Sequence, residues 1–439
     1  MASKPIEDTA EWIGARLPRK EDLRLITGDG KFLSDMVLPG MLHAVFVRSE
    51  YAHARINSID KSEAEATPGV VAVYTGADTV HAFKSLDQPV LIPNLPGHFP
   101  KYHALATGKV RYHGEPLALV VARDKYIAED AAELVEVDYE ELPVILDAEA
   151  ALEDGAPLVH DDAKDNEIFA MTFTGGETPE EQATNDVEVE KIFAEADVVV
   201  SERFKVHRTG VTPLEPRGVL CEWNDSDGLT AYITTQRPHI DRLALVDVLE
   251  LPAEKVRVIA PRDMGGGFGI KAPFYRENII IAHAAKDLCR PVRWVESRYE
   301  AQMNIGQERD QINLMEVAAT NDGELLAVRN RGIANNGVGC IGVYWGFVMP
   351  FLGAVELPNA YTWHKGDVKL RVASTNKASL TPSRAFGHFP TRFALERSID
   401  MIAHNRKERF MKERRNGSPR CERDGPSPLL SELYSGPNW

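Results

Sequence analysis

Apolar residues come in short bursts over the first third of the chain, and the bursts predict strands. MLHAVFVRS, VVAVYTG and PLALVVA, rich in Val, Leu and Ala, read as short buried strands. KYIAEDAAELV reads as a helix capped at its start by Asp124. VEVDYEELPVI alternates apolar and polar positions, the pattern of a half-exposed strand. These elements predict an α+β domain over residues 20–150. Residues 151–190 are acidic and broken by Gly and Pro, and predict a solvated linker. Alternation resumes over 191–404, where ADVVVSERFKV, GLTAYITT, KVRVIAP and PVRWV predict strands. HIDRLALVDVLEL, ENIIIAHAAKDLC and FALERSIDMIA place apolar residues three and four apart and predict helices. The pattern then stops. Residues 405–439 predict an irregular basic tail, with seven basic and two acidic residues between Arg406 and Arg420.

A length of 439 residues bounds this at two to three domains. The net charge of −16 argues against non-specific nucleic-acid binding, which needs a basic footprint. No apolar run approaches the length of a membrane span, and the opening MASKPIEDTAEWIGARLPRK lacks a secretory apolar core, so a cytoplasmic protein is expected. Cys221, Cys289, Cys340 and Cys421 lie far apart, so neither a zinc site nor an iron–sulfur cluster is expected in this chain.

Four stretches carry candidate chemistry. In KVRVIAPRDMGGGFGIK a strand runs into Gly265, Gly266 and Gly267, then Phe268 and Gly269. Glycines in series admit positive φ and let backbone amides converge on an anion or an oxygen acceptor, with the next helix adding favourable potential; the bland reading is a tight turn. The spacing matches neither a dinucleotide fingerprint nor a Walker loop. In LTAYITTQRPH, Gln236 follows a strand end, and its amide can donate and accept at once; alone, it is equally a surface glutamine. In LTPSRAFGHFPTRFALERSIDMIAH, Arg384 sits in a loop broken by Pro382, Gly387 and Pro390. Its planar fork suits an anionic group, or it is a plain surface arginine. In VTPLEPRGVLCEW, Glu215 is held in stiff, extended backbone between two prolines, where it orients a loop or pairs with Arg217.

Taken in order, these stretches resemble the large chain of the molybdenum hydroxylases, the family of xanthine dehydrogenase, aldehyde oxidoreductase and aerobic carbon monoxide dehydrogenase. GDGKFLSDMVLPGMLHAVFVRSEYAHARI, RYHGEPLALVVARD and AAELVEVDYEELP resemble its hammerhead α/β domain. PLEPRG, TTQRPH, MGGGFGIK and SRAFGHFP resemble its successive cofactor-domain motifs. The resemblance covers about residues 15–404 and implies an aldehyde oxidase/xanthine dehydrogenase-type hammerhead domain followed by a first molybdopterin-binding domain. It implies that Gly266, Gly267, Phe268 and Gly269 form the loop beside molybdenum–molybdopterin (mono- or dinucleotide). Gln236 would hydrogen-bond toward an oxygen ligand of the metal, and Arg384 would face metal and cofactor. The implied reaction hydroxylates a carbon centre of a small organic substrate with water-derived oxygen. Electrons then pass to two iron–sulfur clusters and usually a flavin.

The departures from the pattern shape the expectation. Family large chains are longer and carry their catalytic glutamate near the far end, so no catalytic base and no protein ligand to a metal is assigned here. Purine-oxidising members carry a glutamate after the glycine loop where this chain has Ala272. Carbon monoxide dehydrogenases carry a copper-holding cysteine where it has Ala385. The arginine loop usually has Gly and Gln where Ala385 and Thr391 stand. The expectation is therefore part of a hydroxylase acting on an aldehyde or aromatic heterocycle. Its partners would be a second large-chain half with the catalytic glutamate, a 2Fe–2S subunit and an FAD subunit. The alternative is a truncated or frame-shifted, non-catalytic remnant of such a subunit.

Overall fold

A computed structural model describes residues 14–85, 103–173, 178–303, 306–339, 345–357 and 359–405. The basic tail expected over 405–439 lies, but for its first residue, outside the described residues. In chain order the first elements are α1 (Asp22–Ile26), β1 (Leu42–Arg48), β2 (Ala54–Asp60), α2 (Ser62–Ala66), β3 (Val70–Thr75), α3 (Gly76–Thr79), β4 (Lys109–Val110), β5 (Pro116–Ala122), α4 (Lys125–Ala132), β6 (Glu136–Glu141) and α5 (Ala148–Ala151). Then follow β7 (Glu167–Thr172), α6 (Pro179–Glu195), β8 (Val198–Gly210), β9 (Gly218–Asn224), β10 (Gly228–Ile233), α7 (Pro238–Val248), β11 (Val256–Ile259), α8 (Arg276–Leu288) and β12 (Val292–Val295). The last are α9 (Arg298–Met303), β13 (Gln307–Ala319), β14 (Leu325–Gly337), α10 (Trp345–Val355), β15 (Lys365–Ser374) and α11 (His388–Asn405).

The early strands form where the apolar bursts predict them. β5 is buried at every position, as an all-apolar strand between two neighbours must be. Asp124 caps α4 by accepting the Ile127 N–H at 3.0 Å. The acidic stretch expected as a linker holds regular structure instead. α6 starts at a capping box in which Thr178 and Glu181 bond each other's backbone, with Pro179 in the first turn. β7 pairs antiparallel with β15. The acidic residues of α6 meet strand cations, Glu190 with Arg329, Glu188 with Lys365 and Asp186 with Lys369, so the charge reflects a solvated helix face.

Three sheets organise the chain: β11-β10-β9-β12-β1-β5-β3, β7-β15-β14-β13-β8 and β4-β2-β6. The first sheet draws strands from both expected domains, joined where β1 runs parallel to β12 with Leu42 opposite Val292. Their core is shared as well. Leu42, Phe46, Leu119 and Val121 pack with Val219, Ile233, Ile279 to Ile281 and Trp294, and Phe46 meets Trp294 edge to face at 5.3 Å. The strand order also sets the site. β10 and β11 are parallel, so both end at the same edge of the sheet. β9 is antiparallel to β10 and to β12, which brings the segment before β9 and the residue after β12 to that edge too.

Candidate cofactor site

That edge gathers the motif residues. Gln236 leaves the end of β10, and the glycine loop leaves the end of β11. The open crevice beyond the carboxyl ends of parallel strands is where such sheets bind ligands. The Gln236 Oε1 accepts the Gly269 N–H at 2.9 Å, and the Gln236 N–H donates to the Lys271 carbonyl at 2.9 Å. A Cβ at Gly267 would lie 2.6 Å from the Gln236 Oε1, so glycine is what admits this approach. Gly269 has φ +104°, and a Cβ there would lie 2.4 Å from the Pro382 carbonyl oxygen. Through that contact the glycine loop abuts the loop that carries Arg384.

The loop does not open a helix directly. α8 begins only at Arg276, so the glycines are set by side-chain struts and not by a helix N-terminus. Phe268 holds φ +52°, an uncommon backbone state for an aromatic, and is 58% exposed although its ring edge lies over Gly266. Among the described residues the N–H groups of Gly266, Gly267 and Phe268 meet no acceptor. Since Gln236 spends its carbonyl on Gly269, its Nε2 is the end left to donate outward. Arg384 is exposed and makes no ion pair among the described residues. The donor set is thus several N–H groups and a cation, which fits an anionic group rich in oxygen acceptors. The following residues Ala385, Phe386 and Gly387 all have positive φ, +77°, +42° and +85°. Ala272 is buried against Trp345, Met349 and Leu380, and Thr391 lies wholly buried with its hydroxyl on the His388 carbonyl.

Several struts carry little sequence signal. Glu215 Oε2 accepts the Gly265 N–H at 2.7 Å and the Lys271 ammonium at 3.0 Å. Of the two roles open to it, it takes the loop and leaves Arg217 to others. An apolar-lined cleft of about 360 Å³ opens behind it between Phe32, Leu33, Leu214 and Val295. Asp263 accepts the Lys31 N–H at 2.7 Å and pairs with Arg24, tying the N-terminal segment to the loop. Lys271 is fully buried, where burial pushes its ammonium pKa down and the Glu215 carboxylate pulls it back up. Beneath, Arg217 contacts Glu296 at 2.5 Å and Glu277 at 3.4 Å and stacks on Tyr275 at 3.9 Å. Glu308 is buried beside Ser383 and Gly387; burial raises its pKa against the pull of Arg309 and those two groups. Of these only Glu215 was legible in the sequence, as a stiffly held residue that orients a loop.

Two family descriptions match the chain. "Aldehyde oxidase and xanthine dehydrogenase, a/b hammerhead domain" covers residues 27–143, and "Molybdopterin cofactor-binding domain" covers residues 159–415. The chain belongs to the aldehyde oxidase and xanthine dehydrogenase family of molybdopterin-binding oxidoreductase subunits. It is 38% identical over 411 residues to a carbon monoxide dehydrogenase large chain from Afipia carboxidovorans, covering 89% of this chain and 48% of that one. It is 34% identical to the nicotine 6-hydroxylase large subunit of Paenarthrobacter nicotinovorans, with 92% and 48% covered. Quinoline 2-oxidoreductase from Pseudomonas putida 86 superposes with a TM-score of 0.84 at 32% identity, over 92% of this chain and 50% of that one. The chain therefore spans about half the length of the relatives it matches. Among the described residues no helix is long and apolar enough to cross a membrane.

Proposed function

We propose that this chain is the hammerhead (20–150) and first cofactor-binding (191–404) portion of a cytoplasmic molybdenum hydroxylase that oxidises a small organic substrate with water-derived oxygen. The single observation that carries the reading is the glycine loop held against Gln236, with free amides on Gly266, Gly267 and Phe268. Molybdenum on molybdopterin, when bound, supplies the redox chemistry that moves an oxygen onto carbon. This chain's residues bind and orient. The three amides and the Gln236 Nε2 donate to oxygen acceptors, and Arg384 offers its cation from the adjoining loop. The Phe268 ring covers bound cofactor and keeps water off that face. None of these residues is assigned as the catalytic base. The glutamate for that role belongs to the half of the large chain that lies beyond the matched stretch, and electrons leave through a 2Fe–2S subunit and an FAD subunit.

The substrate is an aldehyde or aromatic heterocycle. Similarity to the nicotine and quinoline enzymes supports the heterocycle. Ala272 offers no carboxylate for a purine, and Ala385 no thiol for copper, so similarity to a carbon monoxide dehydrogenase does not bring that substrate with it. The test is untagged purification from the native host, with molybdenum measured by mass spectrometry and co-purifying chains identified in the same sample. Molybdenum near one per chain, together with a second half and an iron–sulfur protein, supports the reading. Neither metal nor partners would mark a truncated, non-catalytic remnant.

A further inference from the structure

We propose that Glu215 is a positioning residue for the glycine loop, acting through the Gly265 N–H that it accepts. One carboxylate oxygen holds both feet of the loop: Oε2 takes the Gly265 N–H at 2.7 Å and the Lys271 Nζ at 3.0 Å. The Glu215 N–H returns a bond to the Gly265 carbonyl at 3.1 Å, so the first foot is sealed by two reciprocal bonds. A Cβ at Gly265 would lie 2.5 Å from the Glu215 Cβ, so the two backbones touch. The segment carrying Glu215 is itself pinned, since Arg298 Nη2 donates to the carbonyls of Pro213 and Leu214 at 2.6 and 3.0 Å. From Lys271 the chain of bonds continues: its carbonyl takes the Gln236 N–H, and Gln236 takes the Gly269 N–H, both at 2.9 Å. The free amides of Gly266, Gly267 and Phe268 lie between these fixed points.

Stability is a poor reason for such a pair. Burying a lysine and a glutamate costs desolvation that their attraction roughly returns, and apolar residues of the same volume commonly do as well or better. What apolar residues cannot do is accept the Gly265 N–H and fix the loop's two ends to one point. The pair therefore sets geometry. The assignment of cofactor as the group those amides meet rests on the reading above; the positioning of the loop does not.

Two double variants of the full chain, purified with whatever subunits accompany it, separate the roles. Glu215→Gln with Lys271→Met removes both charges and keeps an acceptor for Gly265. Glu215→Leu with Lys271→Met removes the acceptor as well. Hydrogen exchange of the Gly265 and Gly269 amides, the two in the loop that hold acceptors, is expected to rise about tenfold in the leucine pair relative to the glutamine pair, the equivalent of one lost hydrogen bond. Exchange in the sheet cores stays unchanged, and bound molybdenum per chain falls severalfold only in the leucine pair. Equal exchange and equal metal in the two pairs would overturn the proposal. Should the leucine pair fail to fold, Glu215→Asp, which withdraws the carboxylate by one methylene, must give the same rise in loop exchange. A wild-type chain that carries no molybdenum would count against the proposed function alone, because the exchange comparison still decides the role of Glu215.

Discussion

Asp241 offers a test of the electrostatics behind the site. It lies in the first turn of α7, five residues past Gln236, with no exposed surface and no hydrogen-bond partner of good geometry for either oxygen. Burial raises its pKa from 3.8 to about 7, against the weaker downward pulls of the Thr235 side chain and the Arg237 charge. The folded state thus holds a proton that the unfolded state releases near its ordinary pKa. Between those two values the folded chain binds more protons, so stability falls as pH rises and levels off above the folded pKa. At 1.36 kcal/mol per unit, a shift of this size costs about 4 kcal/mol at pH 8. Asp241→Asn keeps the neutral shape and removes the titration. The variant should match wild type near pH 4 and exceed it progressively toward pH 8. Unfolding entropy of about 2.1 cal/mol/K per residue converts the full difference to about 4 °C in Tm if the chain unfolds as one unit. Thermal unfolding of both proteins at half-unit pH steps from 4.5 to 8.5 reads it. A difference in Tm that stays flat across that range, or an asparagine variant less stable at pH 8, would refute the reasoning.

Three further changes test other parts of the frame. Arg217→Met leaves Glu277 and Glu296 buried without their shared cation and should cost about 3–5 kcal/mol, seen as a large fall in Tm or in soluble yield. Gly269→Ala meets both a φ of +104° and the Pro382 carbonyl; it should cut cofactor content severalfold, measured as molybdenum per chain, while Gly40→Ala, with φ +68° but open space around it, should leave that content unchanged. Ala385→Gly relieves a φ of +77° and should raise Tm, the left-handed penalty being about 1 kcal/mol; an unchanged or lower Tm would show that the loop's neighbours do not enforce this backbone.

Local pattern made the strands and helices of the first sheet legible, because all-apolar β5 and amphipathic α7 and α8 announce themselves by period. The glycine loop and its order relative to the other motifs were also legible. The acidic stretch was not. α6 has few apolar positions, and its contribution is an exposed helix tied to strand cations, which composition alone reads as solvated chain. β13 and β14 were not singled out either, since their long antiparallel pairing mixes buried polar residues such as Asn313, Asn330 and Asn335 with apolar ones. In the site, Gln236 and the loop could be named from sequence but not their mutual bond, which depends on β10 and β11 being parallel neighbours. Lys271, Asp263 and Glu308 were hidden because their partners lie far away in the chain.

The strained backbone of this protein is not scattered. Eight non-glycine residues among those described have positive φ, and five of them are Phe268, Arg309, Asp310, Ala385 and Phe386. Phe268 lies in the glycine loop, Ala385 and Phe386 in the arginine loop, and Arg309 and Asp310 on the opening turn of β13. There Glu308 lies against Ser383 and Gly387. Arg309 stacks on Phe389 at 4.2 Å, and Asp310 takes Arg208 at 2.8 Å and Lys377 at 3.1 Å. Each such residue costs on the order of 1 kcal/mol and persists only when its surroundings fix it more firmly than it resists. Here the surroundings are carboxylates, the partly buried Glu215 on one loop and the buried Glu308 on the other, joined where Gly269 meets Pro382. Two loops far apart in the sequence are thereby held in shapes neither would keep alone. Rigid, pre-aimed donors of this kind lose little freedom when a ligand arrives, which is what a tightly held cofactor requires.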